Sequence, residues 1–250
     1  DRAISRFGYP FVLRGTAGCA GSQVRLVSSL HEASAALQAL KLISPGEPFA
    51  QAFVRGTRHL VGGFFSHGEA ICLFPQETIE AHPPLTGPSV RVRAYVNETL
   101  LRAARTLFAD LRWTGMACAE FIRDERGNFL LLEMNPRPWA ALEIAERSGA
   151  RICRAFAESL AGRSAHPPAR YRTGVSDIVL EGFLMARRGR EGGIGSTLRT
   201  LRLREWLDCC RAVPWGRPRL ALHVLRRLYR ELARDRPKPK ATESLAQEVR

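Results

Sequence analysis

The chain has 250 residues, 45% of them hydrophobic and 25% charged, enough for one large domain or two modest ones. No run of 18 or more apolar residues occurs, so no transmembrane helix is indicated. Six cysteines without Cys-x-x-Cys spacing, mostly in apolar contexts, argue against a disulfide frame or a zinc site and read as reduced thiols of a cytoplasmic protein. The net charge is +14, and residues 166–250, with 19 basic and 9 acidic side chains, hold +10 of it.

In chain order, residues 9–14 read as a strand, 15–22 as a flexible glycine-rich loop and 23–28 as a second strand. An amphipathic helix follows over 30–41, with Ser28 or Ser29 near its start, and Pro45-Gly46 marks a link to the next lobe. Residues 49–54, 59–65 and 70–74 read as strands, with Ser66-His67-Gly68-Glu69 as a hairpin turn. A loop rich in Pro, Gly and charge is expected over 75–93. Leu100–Leu111 has the spacing of a helix, with positions 100, 101, 104, 107, 108 and 111 on one stripe. Two short strands joined by Asp124-Glu125-Arg126-Gly127-Asn128 come next. Helices are then expected over 139–147, ended by Gly149, and over 151–161. No internal repeat is present.

The hairpin around 120–135 carries the chemistry. Each of its strands holds one carboxylate, Glu120 or Glu133, where alternation would place another apolar residue. Side chains alternate along a strand, so Glu133, Asn135 and Arg137 project to one side, while Pro136 and Pro138 stiffen the exit. Pairing of the two strands would bring Glu120 and Glu133 together. Two carboxylates and an amide oxygen suit Mg²⁺ completed by substrate phosphates, and an adjacent arginine suits a phosphate or a carboxylate. The plain reading is an edge hairpin with solvated charges.

These residues resemble a known family. Gly115 to Phe121 followed by Glu133-x-Asn135-x-Arg137 looks like the metal and phosphate end of the ATP-grasp fold, the superfamily of biotin carboxylase, carbamoyl-phosphate synthetase and D-alanine–D-alanine ligase. Gly8-Tyr9-Pro10 with its strand and the loop Gly15-Thr16-Ala17-Gly18-Cys19-Ala20-Gly21-Ser22 resembles the family's phosphate loop. Gln51-Ala52-Phe53-Val54 resembles the hinge whose backbone contacts adenine. Three motifs in the expected order, over about residues 5–165, are more specific than any one of them.

The resemblance implies an α+β fold of two lobes with mainly antiparallel sheets gripping ATP. The boundaries it suggests are a partial small lobe over 1–46, a large lobe with the metal site over 47–165, and a basic, mainly helical extension over 166–250. It implies ATP as nucleotide, with Mg²⁺ or alternatively Mn²⁺ held by Glu120, Glu133 and Asn135. Arg14, Gly15, Gly18, Gly21 and Ser22 would face the phosphates, Gln51, Phe53, Val54 and His59 the rest of the nucleotide, and Arg137 the transferring phosphoryl group. The implied reaction is activation of a carboxylate as an acyl phosphate for attack by an amine, with release of ADP, by an enzyme of carboxylate–amine ligase type. Small-molecule acids and amines would be its partners, and a homodimer is among the assemblies it allows. In the family a whole domain and a further lysine precede the position of Gly8, so a longer enzyme is expected. Arg14 stands where the family has lysine, and Arg58 where several relatives carry a glutamate for the ribose. Both departures favour an alternative: a non-catalytic nucleotide-binding or scaffold protein built on this fold.

The basic C-terminal third admits three readings for Arg219–Arg236, which sets Leu220, Val224, Leu225, Leu228 and Leu232 against Arg226, Arg227, Arg230 and Arg234. It could dock on the core, lie on a membrane surface, or contact nucleic acid or an acidic partner. Docking is favoured, because such patterns are usually core faces. From Pro237-Lys238-Pro239-Lys240 onward a frayed tail is expected.

Overall fold

The computed structural model describes residues 2–18, 21–165, 170–187 and 201–233, with side chains described through 230. Cys19 and Ala20 of the glycine loop, the side chain of Leu232, Arg234 and the tail from Pro237 lie outside the described residues. The chain divides into two compact units.

The first unit comprises the described residues within 1–54 and 81–89. Its described elements are α1 (Arg2–Phe7), β1 (Phe11–Arg14), β2 (Val24–Val27), α2 (Leu30–Ile43) and β3 (Phe49–Ala52). β1 lies between β2 and β3, antiparallel to both. Phe11, Leu13, Val27 and Leu40 form the buried centre, and α1 and α2 cover it with Ile4, Phe7, Ala33 and Ala36. Ser29 caps α2 by accepting the Glu32 N–H at 3.2 Å, and Glu32 reaches back to the Ser28 N–H at 2.7 Å. This reciprocal pair fixes where the helix starts. β3, assigned to the next lobe by the Pro45-Gly46 link, pairs with β1 in this sheet.

The second unit covers residues 55–80 and 90–234. Its frame is a six-stranded sheet made of β4 (Gly56–Ser66), β5 (Glu69–Ala81), β6 (Ser89–Ala94), β7 (Gly115–Asp124), β8 (Phe129–Asn135) and β9 (Ser176–Ile178). The strand order is β8-β7-β4-β5-β6-β9. Helix α3 (Glu98–Asp110) covers one face, where Val61, Phe65, Ala119 and Phe121 meet Leu100, Leu101, Ala104 and Phe108. Helices α4 (Leu142–Ser148) and α5 (Ile152–Leu160) cover the other, packing Ile144 and Ile152 among Leu60, Phe64, Phe74 and Trp139. Alternation along β4 therefore feeds two cores: odd positions 61 and 65 go to α3, even positions 60 and 64 to α4 and α5. Gly149 sits at φ +90° just past α4 and closes it with the left-handed turn that glycine adopts readily.

The loop expected over 75–93 is a correction. β5 continues through Pro75 to Ala81, and β6 begins at Ser89, so the connection is short. Pro75 and the polar run Gln76-Glu77-Thr78 hid the strand. Pro75 has no N–H to donate, but its carbonyl still accepts the Tyr95 N–H at 3.1 Å, just beyond the end of β6. Helix α4 also starts three residues later than expected, because Trp139 is held in the core and its carbonyl accepts the Leu142 N–H.

Beyond the sheet, α6 (Leu180–Ala186), α7 (Leu203–Ala212) and α8 (Pro218–Ala233) surround a third core of Val90, Ile178, Phe183, Leu184, Leu201, Cys209 and Leu228. α8 is docked within this unit: Ala221 and Leu228 are buried, and Arg227 pairs with Glu181 of α6 at 2.8 Å.

Candidate active site

Glu120 and Glu133 are register partners in the β7–β8 ladder. Their side chains leave the same face of the sheet, with Cβ atoms about 4.5–5.5 Å apart as for any directly opposed pair. A bulge between Glu120 and Phe121 makes this possible. Below it Phe121 pairs with Leu131; above it Glu120 pairs with Glu133, so Leu132 is the extra residue. Asn135 is opposite Cys118 on that face, and its side-chain amide donates to Glu133 Oε1 at 2.9 Å. Arg137 is exposed at the strand exit, donating to the Pro138 carbonyl at 3.1 Å.

The next residue anchors this exit. Trp139 is buried, its ring lying on Gly62 of β4, where a Cβ would stand 2.3 Å from the indole. Its N–H donates to Oε1 of the buried Gln76 at 3.0 Å. Gln76 is the register partner of Leu60, which also pairs with Glu120, so the amide, the indole and both carboxylates belong to one face.

Arg58 belongs to that face too. It pairs with Ile122, two residues from Glu120, which places it diagonally across from the carboxylate. Burial lowers the pKa of its guanidinium, and the charges of Glu120 and Glu133 oppose that shift. The sequence presents Arg58 only as a departure from a ribose contact. The signal that could have found its place is the even-numbered alternation of β4 against β7. Burial also pushes the Cys118 thiol up to about 12, with Glu120 and Glu133 adding to the shift and Arg137 opposing it. Cys118 is therefore a protonated wall of the site.

His59 takes the opposite face. It is buried between Tyr95 and Phe129, with ring centroids at 4.9 and 5.3 Å, and shares a hydrogen bond with Thr57 at 2.9 Å. His59 is thus a core residue and not a surface histidine. Any nucleotide contact made by His59 would come from the face away from the carboxylates.

On the first unit, Arg14 ends β1 and its guanidinium reaches Gln51 Oε1 at 3.4 Å, so the two are neighbours on adjacent strands. Phe53 and Val54 follow β3, half-buried. In the glycine loop, the Gly15 N–H bonds the Gln23 carbonyl at 2.9 Å and the Gly21 carbonyl accepts the Val24 N–H at 3.1 Å. Gly21 stands at φ +73°, and a Cβ there would lie 2.2 Å from the Thr86 carbonyl oxygen, so no larger residue fits. Gly18 and Ser22 are exposed, and Thr16 is tied through its N–H to Ser44 Oγ at 3.0 Å.

The donor set suits a hard cation. Two opposed carboxylates repel each other, and a divalent ion with hard-oxygen preference would offset that repulsion. Among the described residues no group of three His, Cys, Asp or Glu is placed to hold a metal. The set is two carboxylates and an amide, which matches an ion completed by substrate oxygens rather than a closed protein cage.

A family model described as an ATP-grasp domain matches residues 1–141. Over 147 residues the chain is 30% identical to the alpha subunit of mitochondrial methylcrotonoyl-CoA carboxylase of Mus musculus, covering 53% of this chain and 20% of that protein. Among solved structures, the complex of biotin carboxylase from Campylobacter jejuni with β,γ-ATP is similar at a TM-score of 0.57 and 17% identity, over 69% of this chain and 42% of that one. The biotin carboxylase domain dimer of Hydrogenobacter thermophilus 2-oxoglutarate carboxylase, with MgADP, ADP and bicarbonate, is similar at 0.54 and 19%, over 70% and 42%. At these identities the solved structures share the fold, and the chain spans a fifth of the curated relative's length.

Proposed function

The chain belongs to the ATP-grasp domain family, and on that premise we propose that it is the ATP-handling part of a ligase that activates a carboxylate as an acyl phosphate for attack by an amine, releasing ADP and phosphate. The observation that carries this reading is Glu120 opposite Glu133, with Asn135 bonded to Glu133 and Arg137 at the exit of the same strand. A binding relic has little reason to keep that set together.

Glu120, Glu133 and Asn135 would hold Mg²⁺, which when bound neutralises phosphate charge during transfer. Arg14 supplies a cation at the head of the glycine loop, whose backbone N–H groups fold over phosphate oxygens. As a planar fork it binds two oxygens where a lysine offers a point charge. Gln51, Phe53 and Val54 form the adenine-side segment, and His59 supports β4 from beneath. Arg137 is placed to stabilise the transferring phosphoryl group. Much of the rate comes from holding the acid and the phosphoryl donor in line. The protein would act in the cytoplasm on small-molecule acids and amines, and pairing of two copies is a further element of the proposal.

The test is a screen of carboxylates and amines for ADP release by the full-length protein in the presence of Mg²⁺. Turnover that requires both an acid and a nucleophile supports the ligase. One observation favours a second reading: Arg58 shares a face with the two carboxylates and competes for their charge. ATP binding without ADP release on any acid–amine pair would make the protein a nucleotide-binding scaffold.

A further inference from the structure

Helix α7 is turned inside out. Its acids point inward: Glu205 pairs with Arg187 at 2.8 Å and Asp208 with Arg91 at 2.7 Å, both carboxylates largely shielded from water. Arg187 also holds Glu80, and its guanidinium lies over the Phe183 ring at 4.5 Å. The apolar stripe of α7 consequently points outward. Leu203, Trp206, Leu207 and Cys210 follow the i, i+3, i+4, i+7 spacing of one helix face, and all are exposed, Leu203 at 78%. Trp215 extends the stripe. Its indole N–H donates to the Cys210 carbonyl at 2.7 Å, and its ring is 61% exposed. α8 adds Leu222, Leu225 and Tyr229, exposed beside the buried Ala221 and Leu228.

Among the described residues the exposed charges around this stripe have one sign. Arg202, Arg204, Arg211, Arg217, Arg219, Arg226 and Arg230 are all exposed, while the two acids of α7 are taken up in ion pairs beneath it. Arginines flanking exposed tryptophan and leucine suit a surface that is negatively charged outside and apolar just below. A second copy of the same face would oppose arginine to arginine. A nucleic-acid backbone would match the arginines and leave the leucines in water.

We propose that the outer face of α7, with Trp215 and the exposed stripe of α8, binds an anionic phospholipid bilayer. Trp206, Leu207 and Leu203 enter the boundary between headgroups and acyl chains, Trp215 sits at headgroup level, and the arginines pair with lipid phosphates. The inward ion pairs are what leave the apolar side of the helix available. Docking of α8 through Ala221 and Leu228 is compatible with this, because Leu222, Leu225 and Tyr229 flank those residues and stay exposed.

The experiment uses the full chain and vesicles of phosphatidylcholine alone or of equal parts phosphatidylcholine and phosphatidylglycerol. The protein should sediment with the anionic vesicles, less so as salt is raised. Trp113 is half-buried and Trp139 buried, so quenching by brominated lipid should report Trp206 and Trp215. The double substitution Trp206→Ser, Leu207→Ser should lower partitioning roughly tenfold or more at unchanged Tm. If it also lowers Tm, Leu203→Ser serves instead, since that side chain is the most exposed. Binding equal on both vesicle types, no binding, unquenched tryptophan or unchanged partitioning of the variants overturns the proposal. A molecular mass that rises with protein concentration and falls in the variant overturns it in favour of self-association.

Discussion

Trp139 rests on Gly62: the indole occupies the space a side chain would need, with 2.3 Å between its ring and the position of a Cβ. The glycine in the middle of β4 thus sets where the chain goes after Arg137. Gly62→Ala should displace the indole, break its bond to Gln76 and cost about 1–3 kcal/mol through overpacking. Differential scanning calorimetry should show a lower Tm, and the Trp139 emission should shift. An unchanged Tm would mean the ring has room that the structure does not show.

Glu133→Gln should abolish Mg²⁺-dependent ATP turnover while the fold persists. Without metal its Tm should not fall, because the substitution removes one of two like charges facing each other, an arrangement that costs roughly 0.2–1 kcal/mol. Normal turnover by the variant would refute the metal assignment.

Arg58→Met removes the cation that shares the face of Glu120 and Glu133. Metal-free stability should drop by about 1 kcal/mol or more, and added Mg²⁺ should raise the Tm of the variant more than that of the parent. Equal Mg²⁺ stabilisation of both proteins would show that Arg58 and the metal do not draw on the same carboxylates.

Arg14→Lys should retain ATP affinity. Arg14→Ala should weaken it roughly ten- to a hundredfold, the loss expected for a charge-assisted phosphate contact. Calorimetric titration with ATP gives the comparison, and the same affinity in all three proteins would remove Arg14 from the phosphate site.

Acid should destabilise the protein partly through His59. Burial lowers its pKa below the ordinary 6.5, so between the folded and unfolded values the unfolded chain binds the extra proton. The stabilisation is complete above about pH 6.5 and is lost as pH falls below it. Tm followed from pH 7.5 downward through that range, an interval chosen around about 6.5, should fall less steeply in His59→Gln than in the parent. Parallel curves would mean another group governs the slope.

The sequence carried the hairpin of β7 and β8 well, because Gly127 and the polar turn punctuate it and the two carboxylates break an otherwise apolar alternation. The capped helices α2 and α3 were legible for the same local reason. What it did not carry are features decided by tertiary partners. β5 runs through Pro75, whose carbonyl accepts the N–H of Tyr95 from beyond the next strand. Face assignment for His59 and Arg58 needs the β4 register, which local pattern does not supply. The orientation of α7 was hidden as well, because the side chains that draw its acids inward, Arg91 and Arg187, are distant in the chain.

The extra residue at Leu132 has a consequence for how this protein can change over time. With Arg123 fixed opposite Phe129 by the turn, an uninterrupted ladder would set Glu120 against Leu132 and turn Glu133 toward α3. The bulge shifts the upper half of β8 by one position and so brings Glu133 and Asn135 to the face of Glu120 and Arg58. The strand behaves like a reading frame: deleting the Leu132 codon would straighten the ladder with Glu133 still opposite Glu120, whereas inserting one residue before Glu133 would leave the hairpin and its turn in place while rotating Glu133 and Asn135 toward α3. Loss of the carboxylate pair with retention of fold is therefore one small genetic event away, and a single-codon deletion could reverse it.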